Sequence, residues 1–130
     1  MSNQAPLAVE PRPLRVLLVD DHVDTAELLR MLLVRRGFEV TTARSVATAL
    51  AAANAAPIDV LVSDIGLTDG SGCDLLRQLR AVGPVPAIAL SGRDREADVQ
   101  SAREAGFDEY LGKPVGIAQL VDALRRVTAV

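Results

Sequence analysis

Five polar side chains in this sequence each follow a short apolar run, and their types suit the binding of a phosphoryl group beside a cation. Asp20 and Asp21 follow the first run, Asp64 the third and Ser91 the fourth. Lys113 follows the fifth, and it is the only lysine among fourteen basic residues. An ammonium is a compact point charge that suits a single phosphate or carboxylate oxygen, whereas arginine prefers bidentate partners.

Three carboxylates that lie close together repel one another and do not all stay ionised unaided. A divalent cation is the usual remedy. Oxygen ligands favour Mg²⁺ or Mn²⁺ over Zn²⁺ here, because His22 is the only histidine and no thiol is near. Mg²⁺ held by carboxylates commonly acts on phosphate, and Lys113 with the Ser91 hydroxyl could hold the remaining phosphoryl oxygens.

Each of these residues alone also has a purely structural interpretation. An aspartate at a strand end is often a helix cap, Ser91 would be a turn residue, and Lys113-Pro114 is a common dipeptide. The single cysteine, Cys73, is read as a small apolar helix residue rather than a reactive thiol. Because the polar residues stand at four of five predicted strand ends in a consistent order, the sequence favours a functional site over coincidence.

The elements that would position these residues alternate along the chain. Five apolar runs rich in branched residues predict β-strands, and helical spacing between them predicts five helices. The predicted strands are Leu14–Val19, Phe38–Thr42, Ile58–Ser63, Pro86–Leu90 and Glu109–Leu111. The predicted helices are Val23–Arg36, a segment from a Ser45 cap to Ala56, Gly72–Val82, Asp94–Ala105 and Gly116–Thr128.

This alternation predicts an α/β fold, a doubly wound parallel sheet with helices on both faces and right-handed crossovers. Ligands of such sheets bind beyond the carboxyl ends of the strands, where the strand order reverses. All five polar residues would reach that edge. The fourth helix carries one sizeable apolar residue, Val99, so it is predicted to be the least firmly packed.

A chain of 130 residues with 49% hydrophobic residues suffices for one globular domain. Residues 1–13 contain three prolines and predict a flexible tail or linker, with the domain over 14–130. A net charge of −3 without a basic run argues against a nucleic-acid partner. No stretch reads as a membrane span or signal peptide, and one cysteine fits a cytoplasmic location.

From about Leu14 to Val127 the sequence resembles the receiver domains of two-component response regulators, the CheY-like superfamily. The resemblance rests on the run ending in Asp20-Asp21, the run around Asp64, the pair Ser91-Gly92 and the segment from Ala105 to Pro114. It implies a flavodoxin-like (βα)5 sandwich whose five-stranded parallel sheet has the order 2-1-3-4-5.

The resemblance also implies a chemical role for each site residue. Asp64 accepts a phosphoryl group from a phosphohistidine on a histidine kinase or a histidine phosphotransfer protein. Mg²⁺ (or Mn²⁺) is held by carboxylates and one backbone carbonyl, with Asp21 favoured over Asp20 as the direct ligand. The implied metal ligands are Asp20, Asp21, Asp64 and the carbonyl of Gly66, and Lys113 pairs with the phosphoryl group.

A switch is implied as well. The Ser91 hydroxyl moves toward the phosphoryl oxygens, and the ring of Tyr110 turns inward into the vacated space. The surface formed by the fourth helix, fifth strand and fifth helix then meets a downstream partner or forms a homodimer.

The loop after Asp64 departs from the family pattern. Thr68 stands where many receivers have proline, and Ser71-Gly72 replaces the usual Asp-Gly. We therefore expect a looser loop over residues 68–71, with Gly70 or Gly72 at positive φ. Gly66 and Arg93 occupy the positions that tune phosphoryl lifetime in the family.

Several alternatives stay open at this point. The module could be a single-domain regulator, a shuttle in a phosphorelay, or a receiver from a hybrid histidine kinase. The sequence around Asp64 and the segment Ala-Gly-Phe-Asp resemble receivers of hybrid kinases. A Mg²⁺-dependent phosphohydrolase with an aspartyl nucleophile is disfavoured, because such enzymes carry an acid two residues past the nucleophile, where this chain has Gly66. A degenerate receiver is disfavoured by the complete set of site residues.

Overall fold

The computed structural model describes residues 12–92 and 95–129, in which strands and helices alternate. The main sheet contains β1 (Arg15–Val19), β2 (Glu39–Ala43), β3 (Val60–Asp64), β4 (Ala87–Ser91) and β5 (Glu109–Gly112). The helices are α1 (Val23–Arg35), α2 (Val46–Ala55), α3 (Gly72–Val82), α4 (Arg95–Ala105) and α5 (Ile117–Val127). The predicted elements are confirmed in type and order, and their ends agree or differ by at most two residues.

Some sequence-based expectations fall on residues that the structure does not describe. The predicted tail over residues 1–13 lies outside the described residues except for Arg12 and Pro13. Arg93, expected to tune phosphoryl lifetime, and Asp94, expected to begin the fourth helix, also lie outside them.

The five strands form one parallel sheet in the order β2-β1-β3-β4-β5, which confirms the predicted order 2-1-3-4-5. The chain winds outward from β1 to β2, then returns to place β3 on the other side of β1. The order therefore reverses between β1 and β3. In a doubly wound sheet a ligand crevice is expected beyond the carboxyl ends of these two strands.

The core is divided in two by the sheet, because successive strand residues point to opposite faces. Val16 and Leu18 of β1 pack with α1 and α5, whereas Leu17 and Val19 pack with α2, α3 and α4. Residues of β3 and β4 are buried throughout, as expected for strands covered on both faces. No helix within the described ranges is long and apolar enough to cross a membrane.

The helix ends follow the predicted local signals. Ser45 accepts a hydrogen bond from the Thr48 amide, and Thr48 in turn caps the Ser45 amide, so α2 begins with a full capping box. Gly37 follows α1 at φ +94°, a conformation that favours glycine. In α4 only Ala102 is buried among the side chains that the structure describes, which agrees with the prediction of weak packing for this helix.

Candidate functional site

Lys113 brings the ends of β1, β3 and β5 together at the predicted edge of the sheet. Its Nζ atom lies 2.9 Å from Asp20 Oδ2, 3.0 Å from Asp64 Oδ1 and 3.2 Å from Asp64 Oδ2. Asp20 is fully buried and Asp64 is 6% exposed. One ammonium thus serves two buried carboxylates, a geometry suited to a compact point charge.

Burial dominates the electrostatics of this group. Together with the neighbouring Asp20, it raises the pKa of Asp64 to about 7, while Lys113 acts in the opposite direction. Burial also opposes ionisation of Asp20, yet its pKa is lowered, because the neighbouring Asp64 is the carboxyl of the pair that keeps the proton and because the His22 amide and Lys113 donate hydrogen bonds to Asp20. Burial alone would lower the pKa of Lys113, but its two carboxylate partners raise it overall. Near pH 7, Asp64 is therefore poised between two protonation states, and added positive charge would ionise it.

The donor atoms around Asp64 fit a divalent cation. Ligand atoms of Asp20, Asp21, His22 and Asp64 lie within 4.8 Å of one another. Asp64 Oδ1 is the buried side-chain polar atom, among the residues described, that has no hydrogen-bond partner, although it forms an ion pair with Lys113 Nζ at 3.0 Å. Carboxylate oxygens with an open coordination position are what Mg²⁺ or Mn²⁺ requires. The site residues therefore fit the predicted cation.

His22 is a member of this cluster that the sequence did not place there. Its Nδ1 atom lies 3.1 Å from Asp21 Oδ1 and 3.3 Å from Asp20 Oδ1, although the side chain is 72% exposed. Its position directly after the acidic pair was a usable signal. The ring could point either way from the start of α1, so sequence alone could not place it.

A cleft of about 340 Å³ opens above Asp64. It is lined by Asp64 and Lys113, by residues of the loops after β1, β3 and β4, and by one residue each from β4 and α4: Asp21, His22, Asp64, Ile65, Gly66, Leu90, Gly92, Asp98 and Lys113. Gly66, a predicted metal ligand through its carbonyl, thus lies at the cleft wall. Its side-chain position is open space, because nothing lies within 4 Å of where a Cβ would be.

The predicted switch residues both face α4. Ser91 is 3% exposed, and its hydroxyl donates to Asp98 Oδ2 at 2.9 Å. Tyr110 is half-buried; its hydroxyl accepts a hydrogen bond from Arg103 at 2.5 Å, and the Arg103 guanidinium lies 5.8 Å from the ring centroid. Neither Asp98 nor Arg103 was predicted from the sequence, because their partners depend on side-chain rotamers and on how α4 sits on the sheet.

The loop after Asp64 contains a short hairpin, and the positive φ predicted for Gly70 or Gly72 is confirmed at Gly70, whereas the looser loop stays a prediction. Gly66–Leu67 pairs antiparallel with Gly70–Ser71, and Gly70 adopts φ +156°. Gly72 needs its glycine for a different reason: a Cβ there would lie 2.1 Å from the Asp64 carbonyl oxygen. Asp69 completes the arrangement by accepting the Val46 and Ala47 amides at the start of α2.

Cys73 takes no part in the cleft. It is 5% exposed in α3 and packs with the core beneath α4. Burial raises the pKa of its thiol, so the thiolate is disfavoured. This agrees with the structural interpretation of this residue.

Comparison with known proteins gives one family. Residues 16–125 match the response regulator receiver domain. The transcriptional regulatory protein KdpE of Mycobacterium tuberculosis is 43% identical over 118 residues, covering 88% of this chain and 52% of that protein. The KDP operon transcriptional regulatory protein KdpE of Escherichia coli is 39% identical over 110 residues, covering 85% and 49%. The chain spans about half the length of these curated relatives.

Solved structures agree in fold. A putative response regulator from Chloroflexus aurantiacus superimposes with a TM-score of 0.85 at 29% identity, covering 92% of this chain and all of the other. The chemotaxis response regulator CheY4 of Vibrio cholerae has a TM-score of 0.80 at 28% identity, covering 88% and 98%. The fold is a flavodoxin-like (βα)5 sandwich, and the family model matches residues 16–125. The chain therefore belongs to the response regulator receiver domains.

Proposed function

We propose that this chain is a phosphoacceptor module of two-component signalling in which Asp64 receives a phosphoryl group from a phosphohistidine. One observation carries the proposal. At the base of an open cleft, a buried Asp64 oxygen that has no hydrogen-bond partner forms an ion pair with Lys113. The partner is a histidine kinase or a histidine phosphotransfer protein, by resemblance to the family.

The transfer step follows from this geometry. An Asp64 carboxylate oxygen attacks phosphorus in line, an O–P bond forms, and the P–N bond to the partner's imidazole breaks. Lys113 holds a phosphoryl oxygen from one side. Asp20, Asp21, Asp64 and the Gly66 carbonyl would hold Mg²⁺ or Mn²⁺, which neutralises charge on the phosphoryl oxygens when bound. The raised pKa of Asp64 means that these positive charges increase the share of the ionised carboxylate, which is the form that attacks.

The output is a population shift in the surface formed by α4, β5 and α5. Ser91 turns toward the phosphoryl group and Tyr110 turns inward. Weak packing of α4 suits an element that must move at modest cost. This surface would then bind a downstream partner or a second copy of the chain.

The role of the whole protein is a separate part of the proposal. The relatives reported above are transcriptional regulatory proteins about twice as long. This favours a response regulator over a hybrid histidine kinase as the kind of protein to which the receiver is related. A single-domain regulator, a relay shuttle and a receiver from a hybrid histidine kinase all keep the same chemistry, in the cytoplasm. The phosphohydrolase alternative lacks an acid at Gly66, which lies two residues past Asp64.

Intact-mass measurement after incubation with Mg²⁺ and acetyl phosphate tests this function. We expect a phosphoryl adduct on the wild type and none on Asp64→Asn. Asp74→Asn is the matched control, because Asp74 is an exposed aspartate on α3, and it should behave as the wild type. An adduct that survives Asp64→Asn would contradict the proposal, and steady release of phosphate at enzyme-like turnover would favour the hydrolase.

A further inference from the structure

The Ser91 hydroxyl is engaged by an acidic residue outside the phosphoryl chemistry described so far. Asp98 lies in α4, half-buried, and its Oδ2 atom accepts the Ser91 proton at 2.9 Å. Asp98 also lines the cleft above Asp64 together with Lys113. The side chain that should turn to the phosphoryl group is thus held by a carboxylate at the edge of the same cleft.

Donation of the Ser91 hydroxyl to Asp98 and its donation to a phosphoryl group on Asp64 exclude each other. A serine hydroxyl carries one proton, so it can donate to Asp98 or to a phosphoryl oxygen, but not fully to both. A dianionic phosphoryl group and the Asp98 carboxylate also repel each other across the cleft. Both effects favour release of Asp98 once the phosphoryl group is present.

The second switch residue is held by the same helix. Arg103 of α4 donates to the Tyr110 hydroxyl and lies against the ring. Asp98 and Arg103 therefore connect α4 to Ser91 and Tyr110, respectively. Loss of the first bond would loosen the helix that supplies the second.

We propose that Asp98 is a positioning residue that holds Ser91 in the resting arrangement, and that phosphorylation moves α4 by taking the Ser91 proton away from Asp98. The second half of this inference rests on the proposed function of Asp64. The first half concerns the resting protein alone, so the two can be tested apart.

Hydrogen exchange of α4 tests the resting contact without any phosphoryl group. In Asp98→Ala and in Ser91→Ala, amides of α4 should exchange about three- to tenfold faster, the effect expected for the loss of one intramolecular hydrogen bond. The double variant should exchange no faster than either single variant, since both remove the same bond. Additive effects would overturn the proposal.

Glu96→Ala is the matched control. Glu96 is an exposed acid in the same first turn of α4, so its removal repeats the change in charge and in helix-dipole interaction. It should leave exchange near the wild-type rate. If Glu96→Ala speeds exchange as much as Asp98→Ala does, Asp98 acts only as a helix-start acid and the inference fails.

Binding of trifluoroberyllate, a phosphoryl mimic, with Mg²⁺ tests the switching half. Asp98→Ala should tighten binding about three- to tenfold when Ser91 is present and by a smaller factor in the Ser91→Ala background, where only the charge repulsion is relieved. Asp98→Asn, which keeps a carbonyl acceptor, should fall between wild type and Asp98→Ala, and it serves if the alanine variant folds poorly. Equal tightening in both backgrounds would overturn the inference.

The two failures are distinguishable. If the wild type binds no mimic yet the exchange cycle shows coupling, the proposed function of Asp64 is wrong and the Ser91–Asp98 contact stands. If the mimic binds and the exchange cycle shows no coupling, the proposed function stands and the role of Asp98 is wrong.

Discussion

A single compact cation lies between the two buried carboxylates of the candidate site. Lys113 Nζ lies within 3.2 Å of oxygens from two carboxylates, in a side chain that is only 19% exposed. A guanidinium is planar and longer, so it cannot occupy the same point between two buried groups. Charge alone is therefore not enough at this position.

Lys113→Arg should slow phosphorylation of Asp64 by acetyl phosphate on the order of tenfold, although the charge is kept, because the reacting group is held in a different place. The rate of adduct formation by intact mass measures this. Arg126→Lys is the reverse exchange at a surface ion pair with Glu109 and should leave the rate unchanged. A fully active Lys113→Arg would mean that any cation serves.

Cation affinity should rise with pH, because the carboxylate ligand of highest pKa must lose its proton first. With the pKa of Asp64 raised to about 7, the folded protein should bind Mg²⁺ about tenfold more weakly at pH 6 than at pH 8. Calorimetric titration at the two values measures the ratio. Asp64→Asn should bind weakly with little pH dependence, and an equal dependence in that variant would assign the proton to another group.

At the scale of elements, a backbone approach positions Asp64. The start of α3 lies against β3, so Gly72 leaves no room for a side chain beside the Asp64 carbonyl. The hairpin of Gly66–Leu67 with Gly70–Ser71 closes the loop between them. A side-chain atom added at residue 72 must push β3 or α3 away.

Gly72→Ala should therefore lower the free energy of unfolding by about 1–3 kcal/mol and also slow phosphorylation. Gly83→Ala, at the other end of α3, meets open space at an extended φ of 179° and should change neither. Urea unfolding and adduct formation on the same samples test both effects. A Gly72→Ala variant of wild-type stability and rate would show that α3 can shift freely.

The contact of Gly72 with Asp64 also separates the features that could be predicted from the sequence from those that could not. The strands, helices and strand-end residues follow from local patterns of apolar and polar residues, so the fold and the convergence of Asp20, Asp64 and Lys113 were accessible. The close approach at Gly72 depends on tertiary distance. The partner of Ser91 depends on one rotamer and the seating of α4. Neither leaves a pattern in the sequence.

At the scale of the whole molecule, charges are used differently at the two ends of the sheet. At the carboxyl end, buried carboxylates crowd together around Lys113. At the amino end, Asp59 before β3 accepts the Arg15 amide and both the Arg12 and Arg15 guanidinium groups. These contacts, with the Arg12 guanidinium first, hold the pKa of Asp59 well below its usual range despite burial. The candidate site and this stabilising cluster around Asp59 therefore lie at opposite ends of the sheet.

Asp59→Asn should then reduce stability and leave phosphorylation unchanged. A carboxylate whose pKa is lower in the folded state stabilises the protein above its unfolded pKa, and this contribution is lost as the pH falls below about 4. We expect a loss of about 1–2 kcal/mol at pH 7 that shrinks below about pH 4, where Asp59 of the unfolded chain takes up a proton while Asp59 of the folded protein is still ionised. Urea unfolding at pH 7 and pH 3 measures this, with exposed Asp122→Asn as the control. A slower rate of adduct formation in Asp59→Asn would show that the two ends are coupled through the sheet.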